Sequence, residues 1–262
     1  MDRRRFLATT GAGVTGATGL AGCLASASAG PPSVPDDRLD ANGWELVDQQ
    51  QTEALNVAIA GQELTATAVT ETYENAALRE EIAEKTLGQV ADAPLLFFAS
   101  RVTIDPDLTS LPGEIGRDRV IKEVESAARV TMTEQMEANG IEGIERVRTG
   151  TLSVDAEEPA RRTDLRGTIP VDPISIPVAD GETVDLDIDA IPVTGRLAVW
   201  ATEGSVLVGG GAFPAENVAV ETETELSDAI SVSIDIDLEL APSEYEARVT
   251  ELTREIESVT HD

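Results

Sequence analysis

The sequence predicts an α+β domain, a mainly antiparallel sheet with about three helices packed on one face. Three observations carry that expectation. Several segments alternate apolar and polar residues with the period of two that a half-buried strand requires. Only three stretches repeat apolar residues at helical steps. The strands also follow one another without sustained strand–helix alternation, which favours an antiparallel sheet covered by helices over a parallel one.

Taken in order, the chain opens MDRRRFLATTGAGVTGATGLAGC. Gly11, Gly13 and Gly16 spell G-x-G-x-x-G, but that fingerprint needs a buried strand before it and a helix after it. The ten residues MDRRRFLATT cannot supply the strand, and glycine-rich VTGATGLAG is a poor helix opening. The uncharged run from Phe6 to Gly22 is 17 residues long and rich in Gly and Thr. A spanning helix needs about 20 predominantly apolar residues. A basic start, a mildly apolar middle and small residues at the end describe an export signal instead.

Two motifs refine that reading. Arg3-Arg4-Arg5-Phe6-Leu7 resembles the twin-arginine export signal R-R-x-F-L, with Arg3, Arg4, Phe6 and Leu7 at its matched positions. Leu20-Ala21-Gly22-Cys23 resembles a lipobox, in which small residues admit the backbone to a peptidase and the thiol accepts a lipid. Cys23 is the only cysteine of the chain. Residues 1–22 thus read as a Tat-type lipoprotein signal peptide. Residues 23–42, rich in Ala, Ser and Pro, read as a flexible tether, and 43–262 as a single acidic α+β domain.

Within that domain, Leu55, Val57 and Ile59 alternate in one expected strand, and Leu64, Ala66 and Ala68 in the next. The apolar run APLLFFASRVTI suits a central buried strand. GRLAVWATEGSVLVGGGAF reads as a hairpin turning at Glu203-Gly204. VDLDIDAIPV and ISVSIDIDLEL alternate more strictly, acidic on one side and apolar on the other. Helices are expected over 75–90, with Leu78, Ile82 and Leu87 on one side, and over 118–139. In the second, Val120, Val124, Ala128, Met132 and Met136 recur every four residues and Gly140 marks the stop. A last helix starts near Pro242, with Ser243 and Glu246 as a capping box and Tyr245, Val249, Leu252, Ile256 and Val259 as its apolar stripe. Met132, Met136 and Tyr245 read as core residues. Residues 155–182 hold four prolines and the basic group Arg161, Arg162 and Arg166, and are expected to form an irregular excursion or edge strand whose arginines pair with nearby carboxylates.

Charge constrains the setting. The chain carries 49 acidic against 19 basic residues, and only Lys85 and Lys122 are lysines. Loss of the signal leaves 48 against 16, a formal charge of −32. Such a chain repels itself in dilute buffer, and the Debye length of roughly 3 Å at 1 M salt removes most of that repulsion. The charge also argues against nucleic acid as a partner, since binding phosphates needs clustered Lys and Arg.

The motifs for chemistry are sparse. His261 is the only histidine and stands next to the C-terminus, so it anchors neither a catalytic triad nor a zinc site. Gly209-Gly210-Gly211 lacks the Lys-Ser/Thr of a phosphate loop and instead suggests close backbone approach or a bulge. The rows Asp185/Asp187/Asp189 and Asp235/Asp237/Glu239 space their acids about 6.6–6.8 Å apart on one strand face, too far to cage one ion alone. Solvated acidic faces are the expectation. No catalytic residue, metal ligand or cofactor is assigned.

Signal, lipobox and acidic α+β domain together resemble haloarchaeal lipoproteins of unassigned function. The resemblance implies a diacylglycerol-type lipid on Cys23 and a cell-surface position at the outer face of the cytoplasmic membrane. It carries over no functional residue. The expected role is a non-enzymatic binding or structural module of a halophilic archaeon. Its expected partners are the membrane, through that lipid, and an envelope protein or small ligand. The alternative is a carboxylate-based hydrolase acting on surface glycans. That chemistry requires two acids about 5–9.5 Å apart in a cleft, and Trp44, Trp200, Tyr73 and Tyr245 are few aromatic residues for holding a sugar.

Overall fold

A computed structural model describes residues 30–258, apart from 60–61, 86–95, 109–112, 172–173, 178–182, 187–189, 203, 228–229 and 239. The elements run β1 (Pro32–Ser33), α1 (Asp36–Ala41), β2 (Trp44–Ile59), β3 (Gln62–Asn75), α2 (Ala76–Lys85), β4 (Leu96–Asp105), α3 (Gly113–Ala138), β5 (Glu142–Leu152) and β6 (Ala160–Ile169). They continue with β7 (Ile174–Pro177), β8 (Thr183–Leu186), β9 (Ile191–Ala201), β10 (Ser205–Pro214), β11 (Val218–Ser227), β12 (Ile230–Leu238), α4 (Pro242–Arg254) and β13 (Glu257–Ser258).

Seven strands form one antiparallel sheet in the order β2-β3-β4-β10-β9-β6-β5. The β9–β10 hairpin lies at its heart, and Thr202 N donates to Ser205 O across the turn at 2.8 Å. APLLFFASRVTI supplies β4, an interior strand. Three two-stranded pairs complete the topology: β1–β13, β7–β8 and β11–β12.

Helices cover both faces of this sheet, not one. The alternate positions of the central strands are apolar on each side. Phe97, Ala99, Ala198, Trp200 and Leu207 pack with Leu39 of α1 and with Tyr245, Val249 and Leu252 of α4. Val102, Leu197, Val199, Val206 and Val208 pack with Val120, Ile121, Val124, Met132 and Met136 of α3. A strand with two apolar faces needs two covers, because burial drives both. The core readings of Met132, Met136 and Tyr245 hold, since all three are buried.

Three further expectations need correction. The fold begins before residue 43: β1 pairs with the C-terminal β13, and α1 buries Leu39, so part of the expected tether is folded. Its Pro- and Asp-rich composition concealed two anchors, Val34 and Leu39, that enter the core. Ser243 does not cap α4. The helix starts at Pro242 as expected, but its cap is Ala241, two residues before Ser243, and Pro242 lies in the first turn, where its missing N–H costs nothing. Residues 160–169 are not irregular or at an edge, because they form β6, paired on both sides by β5 and β9. Of the four prolines, Pro159 precedes β6, and Pro170, Pro173 and Pro177 follow it.

Gly140 ends α3 as expected, at φ +80°. Ile141 N returns to Met136 O at 3.0 Å, satisfying a carbonyl of the last turn.

Candidate functional site

The α3 side of the sheet does not close completely. A groove of about 300 Å³ lies between α3 and strands β2, β3, β4 and β10. Its floor follows from strand register. Thr70, Ser100 and Val208 stand side by side on β3, β4 and β10, and Ala68 stands beside Val102 one step along. One wall is a single stripe of α3, from Val124 through Ala127, Ala128, Thr131 and Met132 to Gln135, at the i, i+3, i+4 spacing of one helix face. The other wall is β2, where a register shift between Glu53 and Leu55 brings the consecutive residues Thr52, Glu53 and Ala54 to the opening. A bulge of this kind bends its strand, and bulges recur beside functional sites.

The groove exists because its opposed residues are small. Ala127 and Ala128 face Ala68, Thr70 and Ser100, so too little side-chain volume is available to fill the space. On β9, by contrast, the helix is seated closely. Gly195 has no side chain there, and a Cβ at that position would stand 2.8 Å from Met136 Sδ. Phe98 is consequently only half-buried at the groove's edge. A narrow extension of about 20 Å³ shares Phe98, Met132 and Gln135 with the main space and continues to Leu96 and Ala212.

Its polar groups are almost all uncharged. Thr70 Oγ1 and Ser100 Oγ lie 2.6 Å apart, each able to donate to the other. Gln50, Thr52, Thr131 and Gln135 add amides and hydroxyls. Glu53 is the one carboxylate among the described lining residues, and it is exposed. In a chain of formal charge −30, a lining with a single acid stands out.

The opposite face holds a buried ionic network. Arg196 of β9 and Asp164 of β6 face each other in register, with Nε donating to Oδ1 at 3.1 Å. Arg162 donates to both oxygens of Asp164, at 2.8 and 2.5 Å. Arg196 then reaches α4, donating to Glu246 at 2.7 Å and to Thr250 at 2.9 Å, and lies over the Phe213 ring at 5.7 Å. Burial raises the cost of charging Asp164, but hydrogen bonds from Arg162 and Arg196, and their charges, outweigh it and hold the carboxyl below its ordinary pKa. The same hydrogen bond to Asp164 is the main influence holding the Arg162 pKa above its ordinary value. The network fastens α4 to the sheet. On this face too, burial and then a hydrogen bond to Glu71 push the Tyr73 phenol well above its usual pKa.

The expected pairing of the basic cluster is found for Arg161, which meets Asp118 at 3.2 Å, and for Arg162. Arg166 is exposed. Gly209, Gly210 and Gly211 lie inside β10, and close backbone approach explains two of them. A Cβ on Gly210 would stand 1.9 Å from Arg196 O, and one on Gly211 2.2 Å from Leu96 O. Arg3, Arg4, Phe6, Leu7, Leu20, Ala21, Gly22, Cys23, Asp187, Asp189, Glu239, Val259 and His261 lie outside the described residues. Among the described residues no group of three or more His, Cys, Asp or Glu side chains is placed to hold a metal ion. No described helix is long and apolar enough to cross a membrane.

Sequence reasoning missed both the groove and Arg196. Arg196 carried a signal, a lone charge in the apolar strand GRLAVWA, which buried pairing alone would permit. The groove's signal was weaker: Ala127-Ala128 in mid-helix, and Thr70 and Ser100 where larger apolar residues would have closed the core.

Comparison with known proteins yields one match. A family model described as Domain of unknown function (DUF6517) covers residues 31–257. No curated protein and no solved structure matches the chain.

Proposed function

We propose, for a chain that belongs to the family Domain of unknown function (DUF6517), a lipid-anchored surface protein of a halophilic archaeon whose extracytoplasmic domain binds a small ligand in the groove beneath α3. One observation carries the binding role: the groove itself, with its mixed apolar and hydroxyl lining. Ligand pockets commonly combine a mostly apolar wall with a few placed polar groups in about 300–1,000 Å³. The motifs Arg3-Arg4-Arg5-Phe6-Leu7 and Leu20-Ala21-Gly22-Cys23 support the anchor. With β1 starting at Pro32, nine residues from Cys23, the link to the lipid spans at most about 30 Å. The domain therefore rides close to the membrane surface.

Glycan hydrolysis in this groove finds less support. Glu53 is the only carboxylate among the groove's described lining residues, whereas that mechanism uses two. Trp200 and Tyr245, which could stack on sugars, are buried in the core on the opposite face, as are Trp44 and Tyr73, which also border a separate cleft with Asp36, Asp40, Glu45 and Glu71.

Two measurements test the proposal. Intact-mass spectrometry of protein extracted from membranes should find a diacylglycerol-type lipid on Cys23, and an unmodified Cys23 refutes the anchor. The full chain carrying Cys23→Ser should bind the neutral fluorophore N-phenylnaphthylamine saturably, and Ala128→Phe should abolish that binding by filling the groove. Absence of saturable fluorescence refutes the binding role.

A further inference from the structure

We propose that the groove takes a neutral amphiphile, an alcohol-type head group on a hydrocarbon chain, with the head hydrogen-bonded to the Thr70–Ser100 pair. The inference rests on the binding role proposed above and specifies the chemistry of its ligand.

Position and chemistry lead to that class. The floor places four same-face residues of β4 in line: Val102, Ser100, Phe98 and Leu96. Successive same-face positions are about 6.6–6.8 Å apart, so the lined surface runs roughly 20 Å along the strand. A long, narrow, mostly apolar surface suits a chain better than a compact ring. Met132 borders both the main space and its extension, and an unbranched thioether side chain adapts readily to an apolar chain passing beneath it.

The head group is set by the hydroxyl pair. Each hydroxyl offers one donor and two acceptor sites. The contact between Thr70 and Ser100 uses one donor and one acceptor, so the pair retains one O–H to donate and further lone pairs to accept. Ser100 is buried, so these sites face the groove and not bulk solvent. A ligand hydroxyl, itself donor and acceptor, matches them on both counts.

Charged heads match poorly. A carboxylate or phosphate would enter a groove with no Lys or Arg among its described lining residues, and an unpaired buried charge is costly. An ammonium would find Glu53, but that side chain is exposed at the opening and the acceptors on the floor are uncharged.

Displacement of N-phenylnaphthylamine from the full Cys23→Ser chain tests this, with decanol, decanoate and decylammonium as competitors. Molar KCl is used so that long-range repulsion by the acidic surface is screened. Decanol should displace the probe at a concentration about tenfold below either ion, as expected when one charged group is left unpaired. Ser100→Ala should weaken decanol about fivefold relative to the probe measured in the same variant, because one hydrogen-bond partner of the head group is lost. Ala54→Phe, which fills the groove from the β2 wall, should abolish probe binding as Ala128→Phe does, and circular dichroism confirms that each variant is folded. Failure of the probe to bind at all defeats the binding role itself. Probe binding that both filling variants abolish, with decanoate or decylammonium as effective as decanol, keeps the site and overturns the ligand class. A decanol affinity, relative to the probe, that is unchanged in Ser100→Ala overturns the placement of the head group.

Discussion

Replacing Asp164 by asparagine tests whether the buried ionic network fastens α4 to the sheet. Asp164 accepts one hydrogen bond from Arg196 and two from Arg162. The Asp164 and Arg196 side chains are 7% and 4% exposed, so water cannot replace a lost partner. Asparagine keeps the shape but removes the charge, leaving Arg196 with Glu246, a carboxylate 50% exposed, as its remaining counter-charge. Breaking a buried pair from one side costs about 3–5 kcal/mol. Glu246→Gln cuts a pair that solvent already screens, and should cost about 0.2–1 kcal/mol. Urea titrations in molar KCl read the difference. At an m-value of about 3 kcal/mol/M, Asp164→Asn should lower the midpoint by about 1–2 M, and Glu246→Gln by about 0.1–0.3 M. Equal shifts for the two variants would refute the claim that burial makes the network matter. The double change Asp164→Leu with Arg196→Met should recover part of the loss, because it removes the buried Arg196 charge along with its partner and leaves only the less buried Arg162 unpaired. The acid limb gives a second reading. The Asp164 pKa is lowered in the folded state, so its stabilisation is complete above about pH 4, the unfolded value, and is lost as pH falls through the lower folded value. Asp164→Asn should therefore flatten the stability profile below about pH 4.

Gly210→Ala should destabilise by at least the upper part of the roughly 1–3 kcal/mol range for overpacking, because its Cβ would meet the Arg196 carbonyl, which is backbone. Gly150→Ala, with nothing within 4 Å of its Cβ, should stay within about 0.5 kcal/mol in the same urea titration. The full chain should melt higher in molar KCl or NaCl than in dilute buffer, gradually and alike for Na⁺ and K⁺. A melting temperature indifferent to salt would contradict the reading of the surface. Changing Arg3 and Arg4 together to Lys should block surface display if the twin-arginine reading is right, and normal display would point to the general secretory route.

The strands were legible because alternation is a local property. Leu64, Ala66 and Ala68 reveal their buried face without reference to any other segment, and β9 and β10 reveal their turn. The two-sided cover was not legible. Whether Phe97 and Ala99, or Phe98 and Val102, face a helix depends on where α3 and α4 return in space. The run LFFASRV is apolar on both faces, which signals a strand buried on two sides, yet three helical segments alone do not say how they divide. Early boundaries failed for a related reason. Val34 and Leu39 are isolated apolar residues in a polar stretch, and only packing against the sheet, with β1 paired to the distant β13, makes them core. The groove was hardest to read, since a gap is defined by what several segments fail to fill. Ala128 looks like any helix-favouring residue until Ala68, Thr70 and Ser100 stand opposite it.

The acidic surface and the near-neutral groove answer the same physical demand if the chain works in molar salt. At a Debye length of roughly 3 Å, charges attract a ligand only on contact. A binding site that relied on steering would lose most of its reach there, while a contact hydrogen bond and buried apolar area keep theirs. Carboxylates in quantity serve solubility. Among the described residues the buried ionised side chains, Asp164 and Arg196, lie on the opposite face, and Glu53 is the one carboxylate that lines the groove. Selectivity in the proposed site would then come from shape and from two hydroxyls, Thr70 and Ser100, the arrangement least altered by molar salt.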